Sequence, residues 1–176
     1  AHPIQFDFSG DPAQLFESIR KQNPSPYNAY YNTPEFTVVS NSPELLYSVR
    51  GRHVKTKPIA GTRPRGKNAD DEALLKEELF ISEKERAEHL MLVDLERNDL
   101  GRFCTIGSVV VEKFMDCEGY QDVMHIVSTV TGTANETITA PEMLQHLFPG
   151  GTITGAPKIR SIEIIDELEE SDRKFY

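Results

Sequence analysis

Cysteine is scarce in this chain. There are two, Cys104 and Cys117, with no CxxC pair and no histidine nearby at zinc-ligand spacing. That excludes the common cysteine-built zinc modules. Nothing else resembles a disulfide-stapled secreted domain, so reduced thiols in a cytoplasmic protein are expected. No apolar run approaches the roughly 18 residues of a membrane span, and the first residues do not read as a signal peptide. Basic residues are outnumbered, 19 against 28 acidic, for a formal net charge of −9. Such a chain is a poor general binder of nucleic acid or anionic membrane, so any anion site has to be local and preorganised. Internal repeats and low-complexity tracts are absent, which removes solenoids and disordered linkers from consideration.

What is present is ordinary globular material. A chain of 176 residues with 38% hydrophobic residues can bury one respectable core. Both ends, AHPIQFDFSG and DRKFY, read as cut from a longer chain. The expectation is that residues 1–176 are a fragment of a single domain truncated at both ends.

Asp11-Pro12 predicts a helix start, with Asp as N-cap and Pro in the first turn, followed by Leu15, Phe16 and Ile19 at helical spacing. NAYYNT and EFTVVSNS read as two short strands. Ser42-Pro43-Glu44 predicts a brief helix, and RHVKTKPIA the next strand. KNADDE at 67–72 reads as a polar linker into helical sequence. Ser82-x-x-Glu85 matches a capping box, which would open a helix whose apolar face is Ala87, Leu90, Met91 and Leu95. SVVVEKFMDC and QDVMHIVSTVTG alternate like strands. Thr139-x-Pro141 opens a further helix that ends at Phe148-Pro149-Gly150-Gly151, and a last helix begins near Ala156-Pro157. Strands arrive in adjacent groups with helices between the groups. The expected class is therefore α+β with antiparallel sheets packed against helices.

Several stretches could carry chemistry. In KPIAGTRPRG, residues 57–66, Gly61 permits close backbone approach, and Thr62 adds a hydroxyl and an N–H donor. Arg63 and Arg65 would supply positive charge to a carboxylate ligand. The plain alternative is a strand-to-loop turn with solvated arginines. GGTITGAPK, residues 150–158, runs from glycines into a proline-started helix, where unpaired N–H groups suit an anion. Thr152 and the backbone near Gly155 are its candidates, against a simple turn and cap. Glu85 and Glu88 share one helix face, a donor pair suited to Mg²⁺ or merely to the helix dipole. His125 in DVMHIVST shares a strand face with Val123 and Val127 and is a candidate for acid–base work. Glu44 is a second acid–base candidate, or a dipole-complementing glutamate.

KPIAGTRPRG, EKERAEHLMLVDLERNDLGR, VMHIVSTVTG and FPGGTITGAPKIRSIEIIDELE, in this order, resemble the chorismate-utilising enzymes. More narrowly, they are similar to component I of anthranilate synthase and of aminodeoxychorismate (para-aminobenzoate) synthase. The resemblance runs from Ser40 to Tyr176. It implies a chorismate-binding fold with two antiparallel sheets packed between helices. It also implies amination of chorismate with ammonia and Mg²⁺, the ammonia coming from a glutamine amidotransferase subunit or domain. By motif position it implies that Gly61 and Thr62 contact chorismate and that Glu88, with Glu85, binds Mg²⁺. His125 would sit by the leaving C4 hydroxyl, and Glu44 of the SPE motif would be the acid–base carboxylate. Thr152, Gly155 in the GAPK turn, and Tyr176 would hold substrate.

The two branches pull apart at two motifs. Position 60 is alanine, as in anthranilate synthases, where many aminodeoxychorismate synthases carry a nucleophilic lysine; alanine cannot do that chemistry. FPGGTITGAPK and STVTG look more like the para-aminobenzoate enzymes, some of which also carry PIAGT. The preferred expectation is aminodeoxychorismate synthase in folate synthesis, with anthranilate synthase in tryptophan synthesis as the alternative. A non-catalytic chorismate-binding or amidotransferase-docking module is a second alternative. The resemblance further implies that the remaining substrate and Mg²⁺ residues lie downstream, so little catalysis is expected from these residues alone.

Overall fold

The computed structural model describes residues 4–170 and residue 173. Tyr176 lies outside the described residues. They fall into two compact units: one from the stretches up to Pro43 and from Ile159 onward, the other from Glu44 to Lys158.

In the first unit, helix α1 (Pro12–Gln22) starts as its sequence predicts, with the Asp11 carboxylate accepting from Ala13 N at 2.9 Å. Strands β1 (Tyr27–Asn32) and β2 (Thr37–Ser42) form an antiparallel hairpin. Its turn is tied by Thr33 Oγ1, which accepts from Phe36 N at 3.0 Å. Helix α6 (Lys158–Leu168) begins just after Pro157 and buries none of its side chains.

The second unit is built on a five-stranded antiparallel sheet. Its spine is β7 (Val123–Thr133), whose residues from Met124 to Gly132 are all buried except His125. Strand β6 (Val110–Gly119) pairs along one side of it. Along the other side lie two strands end to end, β4 (His53–Lys57) and β5 (Ile59–Pro64). Pro58 separates them, having no N–H to donate to a ladder. Strand β3 (Leu45–Arg50) closes the edge beside β4.

Helices α2 (Ala69–Ile81) and α3 (Glu83–Gly101) pack on this sheet, and α4 (Ala140–Leu147) and the single turn α5 (Gly151–Thr154) pack on α3. The main core joins Val93, Leu100 and Phe103 to Val54, Val130, Met143 and Leu147. A smaller one sets Leu79 of α2 on Met124 and Ile126 of β7. The α2 start is held by Asn68, whose Oδ1 accepts from Asp71 N at 2.9 Å. Asn68→Ala should therefore cost about 1 kcal/mol, read as a lower midpoint at unchanged slope in urea unfolding.

The α+β expectation holds, and four local ones are corrected. Glu44 does not start a helix: the chain runs directly into β3, because Tyr47 and Val49 pack on the main core and the backbone pairs with β4. A short helix there would have little to bury. KPIAGTRPRG is not a turn, since residues 59–64 form β5 and satisfy the otherwise open edge of β7. The polar stretch 69–72 is already helical. On α3 the buried face is His89, Leu92, Val93, Glu96, Asp99 and Leu100, while Leu90 and Met91 are exposed. Polar side chains, two of them with interior partners, won the inner face over two apolar ones.

Candidate functional site

Strand β5 organises the site. Its ladder with β7 slips between Ala60 and Thr62, so Gly61 is an extra residue, a bulge, with φ of 72°. That left-handed conformation is open to glycine and strained for others. Glycine is required for space as well: a Cβ there would lie 2.9 Å from both Glu85 Oε2 and Leu79 Cδ1. The bulge places Thr62 opposite His125 in the ladder.

The His125 ring is half-buried, with Tyr120 edge-on at 5.3 Å between centroids. Its Nδ1 sits 3.0 Å from Thr62 Oγ1 and 3.2 Å from Gly61 O. A carbonyl only accepts, so Nδ1 bears the proton when it donates to Gly61 O, whereas in the other tautomer Nδ1 accepts from the Thr62 hydroxyl. The arrangement therefore fixes the ring by its Nδ1 edge and presents an oriented imidazole for proton transfer.

Glu85 lies over the bulge. Ser82 Oγ accepts from Glu85 N at 3.3 Å, so half of the expected capping box is present. The carboxylate instead accepts from Arg63 Nη1 at 3.2 Å. Arg65 is similarly occupied, paired with Glu72 at 2.6 Å and donating to Tyr120 O. Both arginines thus hold β5 to its neighbours. Glu88, one helical turn on, is exposed and makes no ion pair among the described residues.

Two residues back along β5, a second cluster forms around Glu44. Its Oε1 accepts from Ile59 N at 3.0 Å, and its Oε2 accepts from Thr152 Oγ1 at 3.2 Å. Burial pushes its pKa up, against the lowering effect of those two donors. Thr152 is on α5, and its hydroxyl proton is committed to Glu44. Gly155 caps α5 at φ of 105°, with its N–H donating to Gly151 O at 2.8 Å. In this geometry Gly155 reverses the chain.

Beneath this lies a polar group that the motifs did not reveal. Asp99 is buried and paired with Lys158, which also donates to Leu147 O at 3.2 Å. Glu96 is 5% exposed, and its Oε2 has no hydrogen-bond partner. Burial first, then the charge of Asp99, pushes its pKa up to about 7. The sequence carried one signal of this: Glu96 and Asp99 fall at helical spacing in register with Leu92, Val93 and Leu100. On the sheet side, His89 is fully buried and reaches Ser128 Oγ at 2.6 Å, and that oxygen accepts from Met115 N. Burial lowers the His89 pKa to about 4.

Residues 1–176 match the family described as chorismate binding enzyme. The chain belongs to the chorismate-binding enzyme family. Aminodeoxychorismate synthase component 1 of Bacillus subtilis (strain 168) is 54% identical to it over 165 residues, 94% of this chain and 35% of that protein. Anthranilate synthase component 1 of Aquifex aeolicus (strain VF5) is 48% identical over 169 residues, 96% of this chain and 34% of that one. The crystal structure of anthranilate synthase component I from Streptococcus pneumoniae TIGR4 superposes with a TM-score of 0.84 at 40% identity, covering 94% of this chain and 36% of that one. The chorismate-binding fold is thereby shown, with antiparallel sheets packed against helices. The chain spans about a third of the length of the curated relatives it matches.

Proposed function

We propose that this chain supplies part of the active site of a component I enzyme that aminates chorismate with ammonia, as aminodeoxychorismate synthase in folate synthesis. The observation that carries this reading is the convergence of three distant stretches on one strand. Glu44 of the SPE motif is held by Ile59 of PIAGT and Thr152 of GGTITG, two residues along β5 from the Gly61–Thr62–His125 group. An acid–base carboxylate ahead of β3 and an oriented imidazole on β7 are thus both tied to β5, as acid–base chemistry on a small ring requires. Thr62 and Gly61 would meet a substrate carboxylate, His125 the leaving hydroxyl, and Glu44 would exchange the proton. Gly155 is proposed for the same substrate wall; Tyr176, a further proposed substrate contact, lies outside the described residues.

Mg²⁺ is proposed as the cofactor. The donor set fits it in part: Glu88 is a free hard carboxylate, whereas Glu85 is engaged by Arg63. Among the described residues no group of three or more His, Cys, Asp or Glu is placed to hold a metal. Mg²⁺ keeps waters and ligand oxygens readily, so Glu88, with Glu85 once released, would supply the protein's carboxylates. The ion would neutralise substrate carboxylate. A glutamine amidotransferase would supply the ammonia, and the setting would be cytoplasmic. Among the described residues no helix is long and apolar enough to cross a membrane.

The alternative product is anthranilate. Ala60, 8% exposed between Ile59 and the bulge, offers no amine for covalent attack, so ammonia would add directly in either branch. The test uses the protein at the full length of its relatives. It is incubated with chorismate, Mg²⁺ and ammonium, and products are separated with and without aminodeoxychorismate lyase. para-Aminobenzoate only with the lyase supports the proposal; anthranilate without it supports the alternative; neither product refutes both. Thr62→Val in the same protein should raise KM for chorismate about tenfold, the loss of one hydrogen bond to a charged group, with little change in Tm. Unchanged KM would refute the role of Thr62.

A further inference from the structure

Sheet register brings a carboxylate, an imidazole and a hydroxyl into one row. Glu118 of β6 lies opposite His125 of β7, and Thr62 of β5 lies opposite His125 on the other side. Directly opposed residues share a face, so the three side chains stand side by side. On the β6 side this depends on a bulge. Lys113 is opposite Thr129 and Asp116 is opposite Val127, three steps along β6 against two along β7. Without that extra residue Cys117 would lie opposite His125, and Glu118 would turn to the other face. Met115 sits in the bulge with φ of 52°, and its N–H donates to Ser128 Oγ at 2.9 Å, the hydroxyl that His89 also reaches. The buried His89–Ser128 pair thus secures the register.

Glu118 is itself anchored. Lys57 Nζ, at the end of β4, donates to both of its oxygens, at 2.7 and 2.9 Å. An ionised carboxylate only accepts, so the Tyr120 hydroxyl donates to Glu118 Oε2 at 3.2 Å. Tyr120 is fixed by its backbone too: its N–H donates to Val123 O at 2.7 Å, and its carbonyl accepts from Arg65 Nη1 at 2.8 Å. Held at both ends, its ring meets the His125 ring at 62° with 5.3 Å between centroids, a favoured edge-to-face geometry. Thr62 and Gly61 hold only the Nδ1 edge of the imidazole, and the last torsion of a histidine side chain is soft. The tyrosine ring supplies the second contact that fixes the plane. We propose that Tyr120 is a positioning residue for His125: held by the Lys57–Glu118 pair, it orients the imidazole for proton transfer. The inference rests on the reading of His125 as the residue that meets the leaving hydroxyl.

The test uses the protein at the full length of its relatives. Tyr120→Leu, which removes the ring, should lower kcat about tenfold with KM for chorismate unchanged. Tyr120→Phe keeps the ring and loses only its anchor, so it should recover most of that loss. In a His125→Ala background the Tyr120→Leu loss should vanish, because the tyrosine acts through the imidazole. Where His125→Ala is itself impaired, wild-type kcat in Tyr120→Leu, or a loss undiminished in the double variant, overturns the proposal. Ring nitrogen shifts of His125, read by NMR, follow the orientation without reference to catalysis and should move in Tyr120→Leu. Unmoved shifts overturn the proposal. Shifts that move while His125→Ala keeps wild-type kcat uphold the positioning and refute the role of His125 in the reaction. Should Tyr120→Leu fail to fold, Glu118→Gln, which releases Lys57, should move the same shifts and lower kcat about threefold at unchanged KM. Shifts unmoved in that variant overturn the proposal.

Discussion

Glu44→Gln is expected to lower kcat of the full-length enzyme by about 10²–10⁴-fold, the usual weight of a positioned acid–base group. The amide keeps the shape of the carboxyl, and one of its ends can still accept from Ile59 N or Thr152 Oγ1. The fold should therefore persist, and the loss should appear in kcat more than in KM. Stability gives an independent check through its sign. Burial raises the Glu44 pKa, so the folded state binds a proton that the unfolded state has already released. Its contribution to stability is fully present below the unfolded carboxylate pKa and is lost as pH rises through the folded value. Glu44→Gln should remove that component, leaving Tm at neutral pH equal to or above wild type. Near-wild-type kcat, with the variant folded, would refute the assignment.

Gly61→Ala should disable both the fold and the site. The left-handed φ costs an L-residue about 1–2 kcal/mol. The new methyl group would stand 2.9 Å from Glu85 Oε2 and from Leu79 Cδ1, and relieving such overpacking costs about 1–3 kcal/mol more. A total of about 2–5 kcal/mol is expected, read from denaturant unfolding. Protein that remains folded should bind chorismate poorly, because the bulge sets Thr62 opposite His125 and aims the imidazole. A control at Gly51, which has φ of 61° but nothing within 4 Å of a built Cβ, should show the backbone cost alone. Equal losses at the two positions would mean that the contact with Glu85 and Leu79 carries no weight.

Much of this site was legible in the residues. The motif order named Glu44, Gly61, Thr62, Glu85, Glu88, His125 and Thr152 without geometry; the structure joins Glu44 to Thr152, and Gly61, Thr62, His125 and Glu85 to one another, and leaves Glu88 exposed. Helix starts were legible where a side chain caps its own backbone, as at Asp11 and Ser82, because that chemistry is local. Short stretches near Glu44 and PIAGT were misread for the opposite reason. Their backbone partners, Lys57 and Val127, are distant in sequence, and a strand is determined by its neighbour as much as by its own residues.

The helical face of α3 shows the same limit more sharply. Its pattern of Leu90, Met91 and Leu95 favours one inward face; the fold turned His89, Glu96 and Asp99 inward instead. Two of them find interior partners that hydrophobicity cannot foresee: Ser128 for His89 and Lys158 for Asp99. By itself the sequence determined the family, the α+β class and the capped helix starts. Tertiary structure alone decided which carboxyls are buried, which arginines are already paired, and that Gly61 sits in a bulge. Those properties depend on desolvation and on partners brought from distant segments, and neither is written in a local run of residues.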